Sequence, residues 1–100
     1  MDKIVSLASM AMRAGKVEMG DRLIPSIQQK KASLVLFSTS CGNNRKKKLK
    51  DKCTTYEIPY VEIEDCYFNT ITNRALSSLA ICDSGFAKAM LKAYKERIVD

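Results

Sequence analysis

Six of the seventeen basic residues of this 100-residue chain sit in one short segment, Arg45-Lys46-Lys47-Lys48-Leu49-Lys50-Asp51-Lys52. A cationic field this dense suits phosphate. Neutralising a nucleic-acid backbone releases condensed counterions and supplies affinity that does not depend on base sequence. Other chemistries find little to work with. The chain has no histidine, so an ordinary nucleophile–base pair is missing, and there is no G-x-x-x-x-G-K loop to cradle a nucleotide. Glu57, Glu62 and Glu64 read as the exposed face of a strand. Cys41, Cys53, Cys66 and Cys82 are far apart and form no C-x-x-C pair, which excludes zinc spacing. They read as free thiols used for packing in a reducing cytoplasm. No enzyme, metal, cofactor or small-molecule substrate is expected.

A net charge of +6 and a pI near 9.3 favour a polyanionic partner. With 46% hydrophobic and 28% charged residues, the composition is that of a soluble globular protein, and the length fits one domain over residues 1–100. Met1-Asp2-Lys3-Ile4 opens with an acid and lacks a long apolar run, which predicts neither a signal peptide nor a membrane span.

The charged segment must be held by something apolar. Leu49, Cys53 and Tyr56 recur at i, i+4 and i+7, which predicts one buried helical stripe with Lys47, Lys48 and Lys50 opposite it. Lys46 and Lys52 flank the stripe, where their alkyl stems can lie along it. Upstream, Ile4, Leu7, Ala8 and Ala11 predict a helix over residues 3–14 ended by Gly15. Val17 to Met19 reads as a short extended stretch. Asp21 is the expected N-cap of a helix through Leu23, Ile24 and Ile27, with Pro25 tolerated in its first turn. Lys30 and Lys31 close that helix. The continuous apolar run Leu34-Val35-Leu36-Phe37 predicts a strand buried on both faces. Residues 58–63 and 75–82 read as further strands, and residues 66–73 as a short helix. Asp83 caps a last helix bearing Phe86, Met90, Leu91, Tyr94 and Ile98. Helices alternating with strands predict a three-layer α/β/α sandwich around one mixed four-stranded sheet.

Several motifs then fall in one order: Ala14-Gly15-Lys16-Val17 with Gly20, Ala32-Ser33-Leu34-Val35-Leu36, Lys50-Asp51-Lys52-Cys53 with Tyr56, Ile58-Pro59-Tyr60, and Ala80-Ile81-Cys82-Asp83-Ser84-Gly85-Phe86-Ala87. With them the chain resembles the ribosomal protein L-seven-Ae family of kink-turn RNA binders, most closely its YlxQ-like bacterial branch. The resemblance spans nearly the whole chain. It implies an α/β/α sandwich presenting one edge to RNA, built from the start of the second helix, the loop after the second strand and the loop before the last strand. Those map to residues 20–26, 39–43 and 72–75. A glycine entering a helix lets a phosphate approach the backbone closely. The family follows it with an Asn-Glu pair and, one turn later, a lysine. Here Arg22, Leu23 and Ser26 stand at those positions.

The expected RNA contacts are therefore Lys16, Gly20, Asp21 and Arg22, with Thr39 and Asn43 beside them and Asn73, Arg74 and Ala75 opposite. Arg45, Lys46, Lys47, Lys48 and Lys50 extend the positive field. The expected protein is a monomeric, cytoplasmic, noncatalytic binder of structured RNA, ribosomal or associated with the translation machinery. The alternative is a protein-interaction module that kept the fold without specific RNA recognition, its basic helix docking an acidic protein.

Overall fold

The computed structural model describes residues 3–71 and 77–98. Helix α1 (Lys3–Arg13) leads into the two-residue strand β1 (Val17–Glu18), a 3₁₀ turn (Gly20–Arg22) and helix α2 (Leu23–Gln28). Strand β2 (Leu34–Ser38), helix α3 (Asn43–Thr55), strand β3 (Tyr60–Ile63), helix α4 (Asp65–Ile71), strand β4 (Ser78–Ile81) and helix α5 (Ser84–Ile98) follow. The four strands form one mixed sheet in the order β1-β4-β2-β3, with β2 and β3 parallel and the other two pairings antiparallel. No helix among the described residues is long and apolar enough to cross a membrane.

Strand alternation divides the interior into two cores. Leu34, Leu36, Leu79, Ile81, Val61 and Ile63 face α1, α4 and α5, where Ile4, Val5, Ala8, Ala11, Phe68, Ile71 and Met90 meet them. Val35, Phe37 and Ala80 point the other way, onto Leu23 and Ile27 of α2 and Leu49 and Cys53 of α3. All five β2 residues are buried, as a strand covered on both faces requires. Helix α4 forms although its sequence holds few good helix formers, because Phe68 and Ile71 bury against the sheet and outweigh propensity.

Two local expectations change. Asp21 does not cap α2: the residue before the helix is Arg22, and no side chain caps it. The preceding 3₁₀ turn uses backbone instead, with the Arg22 amide donating to the Met19 carbonyl and the Leu23 amide to that of Gly20. Tyr60, which as an aromatic reads more readily as core than as a base-stacking platform, is 38% exposed and stacks on Phe37 with ring centroids 5.9 Å apart. The helix expected over residues 66–73 and the strand expected over residues 75–82 reach into residues 72–76, which lie outside the described residues.

Three helices end in the same hydrogen-bonded turn. At α1, Gly15 takes φ +71°, its amide donating to Met12 and that of Lys16 to Ala11. At α2 and α3 the left-handed positions are Lys30 (φ 58°) and Glu57 (φ 57°), which pay a steric cost that glycine avoids. Glu57→Gly is expected to raise stability by about 0.5–1 kcal/mol in urea denaturation, because it relieves the left-handed backbone at the end of α3.

Burial pushes the Cys53 thiol up to about 11 from 9.0. The neutral thiol is favoured in the fold, so this contribution is complete below pH 9 and is lost as pH rises from 9 to 11, when the unfolded chain ionises first. The stability difference between wild type and Cys53→Ala is expected to shrink by about 2–3 kcal/mol across that window. A pH-independent difference would show that Cys53 stays protonated in both states or meets water in the fold.

Candidate nucleic-acid interface

The sheet register brings the exits of β1 and β2 and the entry of β4 to one end of the molecule. Glu18 lies opposite Ala80 in the antiparallel β1–β4 pair, so the chain leaving β1 through Met19 and Gly20 runs toward the start of β4. Phe37 lies opposite Ser78, and Ser38 opposite Ile63, so β2 and β3 finish at that same end. The Ser38 amide donates to the Ser77 carbonyl at 2.8 Å, joining the exit of β2 to the entry of β4. Gly20, Thr39 and Asn43 therefore share one end of the sheet. Asn73, Arg74 and Ala75, expected as the third side, lie outside the described residues.

At the first segment Gly20 adopts φ +63° with open space around the position of a Cβ. Gly20, Asp21 and Arg22 are exposed. Leu23 is fully buried, and Ser26 is 4% exposed with its hydroxyl donating to the Leu23 carbonyl. Of the three positions at which the chain departs from the kink-turn pattern, Arg22 alone faces solvent. The amides of Arg22 and Leu23 already serve Met19 and Gly20, so these two are not available to an anion. Arg22 also borders a shallow depression lined by Glu18, Ser26 and Lys31. Beside it, the Cys82 thiol is pushed up by burial and then by Glu18, with Lys31 and a hydrogen bond to the Glu18 backbone opposing. Lys16 is exposed, but it precedes Val17, which pairs with the far end of β4. The structure does not bring it to the end of the sheet that holds Gly20 and Thr39.

Helix α3 starts at this end and runs away from it for about 20 Å, at 1.5 Å per residue. Its buried residues are Leu49 and Cys53, as the spacing predicts. The six basic side chains then separate into distinct environments. Lys46 pairs with Glu62 of β3 at 2.6 Å and donates to the Thr39 carbonyl at 2.9 Å. Lys50, expected on the outer face, is half-buried with its ammonium 5.8 Å from the centroid of the Phe37 ring. The ammonium gains from the ring quadrupole and the stem covers apolar surface, which draws it inward. Arg45 is exposed, yet its Nε donates to Ser78 Oγ at 3.2 Å. Lys47 and Lys48, with Lys52, line a shallow depression on the outer face beside Asn44 and Asp51.

The loop after β2 is fixed from the other side by Asp65, the first residue of α4. Its Oδ1 accepts from Ser38 Oγ at 2.9 Å and from Ser40 Oγ at 2.8 Å, while the Ser40 amide donates to Ser38 Oγ at 3.1 Å. Glu62 reads from the sequence only as part of a strand's exposed face, and Asp65, Ser38, Ser40 and Ser78 carry no site expectation there. No local pattern marks them, since their partners come from other elements.

Residues 2–90 match the sequence model of the Ribosomal protein L7Ae/L30e/S12e/Gadd45 family. The chain belongs to this family. Two relatives are named RNA-binding protein YlxQ. That of Enterococcus faecium is 36% identical over 86% of this chain and 85% of its own. That of Bacillus subtilis (strain 168) is 35% identical over 85% of this chain and 88% of its own. A solved structure of a protein of unknown function from Bacillus halodurans superposes with TM-score 0.88 at 26% identity, covering 95% of this chain and 99% of that one. The fold is therefore shared with that protein over nearly the whole chain.

Because the lysines occupy different environments, their removal has unequal effects on folding. Lys50→Ala is expected to lower stability by about 0.5–1.5 kcal/mol through the lost Phe37 contact, whereas Lys47→Ala stays within about 0.5 kcal/mol of wild type. Parallel urea titrations of the two variants check this.

Proposed function

We propose that this chain is a noncatalytic RNA-binding protein of the translation machinery, monomeric and cytoplasmic, whose 100 residues act as one domain that holds structured RNA of kink-turn type. The observation that carries the reading is the gathering of the Gly20–Arg22 turn and the loop after β2 at one end of the sheet, where the basic helix α3 begins. The names of the two curated relatives support it. Catalysis, a metal and a cofactor play no part in it.

The expected residues divide the work of binding among them. Gly20 admits the RNA backbone, having no Cβ and open space around it. Arg22 meets a guanine edge or a phosphate, both of which suit a planar guanidinium. Asp21 beside it accepts from base or sugar donors and repels misplaced phosphate. Thr39 and Asn43 contact RNA from the second loop, and Asn73, Arg74 and Ala75 from the third. Lys47 and Lys48, with Arg45 closer to the loops, add backbone affinity without reading sequence. Lys16 flanks the other end of β1 and meets only RNA that extends past the site. Lys50 contributes field from its place on Phe37.

The inward position of Leu23 and Ser26 favours a second reading, a protein-interaction module that binds an acidic partner through α3. Binding to a kink-turn RNA, a straight duplex and a single strand of equal length, across a salt series, separates the two. A log–log salt slope of about −3 to −4 is expected for some four phosphate contacts. Arg22→Ala is expected to weaken the kink-turn RNA about tenfold and the straight duplex far less. Lys47→Ala and Lys48→Ala are expected to weaken every RNA to a similar extent, each reducing the slope by about one. Failure of all three RNAs to bind above bulk competitor leaves the protein-interaction reading in place.

A further inference from the structure

The loop after β2 is held by acids that stand beside a surface proposed to bind a polyanion. On charge alone Glu62 and Asp65 oppose such binding. Their geometry gives them a different part. Glu62 anchors Lys46, and Lys46 in turn holds the Thr39 carbonyl, so one ammonium joins β3, the loop and the first turn of α3. Asp65 holds the hydroxyls of Ser38 and Ser40 from α4, and the Thr39 amide donates to the Ile63 carbonyl at 2.9 Å. Arg45 ties α3 to Ser78 at the entry of β4. Four elements thus fix a loop of four residues between β2 and α3.

Ser38 shows why the arrangement is specific. Its side chain is fully buried, and a buried hydroxyl needs partners. It donates to the Asp65 carboxylate and accepts the Ser40 amide, so the loop backbone and the carboxylate are coupled through one oxygen. A bond to a carboxylate is stronger than one between neutral groups, and removing it leaves the buried hydroxyl only the neutral Ser40 hydroxyl, 3.0 Å away, as an acceptor.

We infer that Lys46, Glu62 and Asp65 are positioning residues for RNA binding: they set the conformation of residues 39–42 before RNA arrives, and Lys46 acts through this clamp and not through phosphate. This rests on the RNA reading above and deepens it. A preorganised loop loses less conformational freedom on binding, so loosening it weakens the complex even when the loosening mutation removes a negative charge. Electrostatics and positioning therefore predict opposite signs for the same substitution.

The test uses the full chain and a fluorescein-labelled kink-turn RNA, with Glu62→Ala, Asp65→Ala, Lys46→Ala and, as a charge control on α5, Glu96→Ala. Glu62→Ala and Asp65→Ala are expected to weaken binding at least threefold, while Glu96→Ala binds as wild type or somewhat tighter. Lys46→Ala is expected to weaken binding with the salt slope unchanged. Tighter binding by Glu62→Ala and Asp65→Ala, or a slope reduced by about one in Lys46→Ala, would overturn the inference while leaving the RNA reading intact. Amide hydrogen exchange in the free protein reads the clamp without RNA. Exchange of residues 39–42 is expected to rise about tenfold in Asp65→Ala and Glu62→Ala, with the strand amides of β2 still protected to show that the fold survives. Unchanged loop exchange overturns the inference whatever the RNA does. Wild type that fails to bind this RNA while its loop exchange responds as expected removes the RNA part of the inference, and the RNA reading is then judged on the straight duplex and single strand.

Discussion

Strand β2 has no side turned to water, and the rest of the molecule follows from covering it. A strand whose five residues are all buried needs apolar partners on both faces and hydrogen bonds on both edges. Helices α1, α4 and α5 supply one face, α2 and α3 the other, and β3 and β4 the two edges. This requirement places α3. To cover Val35 and Phe37 it must present Leu49 and Cys53 inward, and its lysines are then distributed around the remaining circumference.

That distribution gives like-sounding residues unlike environments. At 100° per residue, Lys46 and Lys50 fall beside the apolar stripe, close enough to the sheet to find Glu62 and the Phe37 ring. Lys47 and Lys48 fall outside that reach and remain on the surface. A run of basic residues is thus part scaffold and part field. The ion pair of Lys46 is half-exposed and contributes little to global stability on its own. Its consequence is local, because the same ammonium also holds a loop carbonyl.

The end of the sheet combines rigid and open features. The Ser38–Asp65–Ser40 bonds and the Lys46 bridge hold one loop from two sides, while the Gly20–Arg22 turn, reached directly from the two-residue strand β1, exposes all three of its residues. The 3₁₀ turn consumes two amides that would otherwise be orphaned at the start of α2. Any anion held there meets side chains and the remaining backbone, not a row of empty N–H groups.

The sequence by itself determined the order and kind of the elements, because hydrophobic period is written locally: Leu34 to Phe37 as a two-sided strand, Leu49 and Cys53 as a helical stripe, Gly15 as a left-handed helix end. Its ordered motifs were also enough to indicate the family. Tertiary structure decided which polar residues are spoken for. Ser38 meets Asp65 across 27 positions of chain, Arg45 meets Ser78 across 33, and Lys46 meets Glu62 on another element. The same holds for Asp21, which has the composition of a cap but lost that place to the backbone carbonyls of a 3₁₀ turn, and for Leu23 and Ser26, turned inward by the packing of α2 on the sheet. A side chain's period follows from its neighbours in sequence, whereas its hydrogen-bond partner follows from which strands lie side by side, and only the folded sheet fixes that.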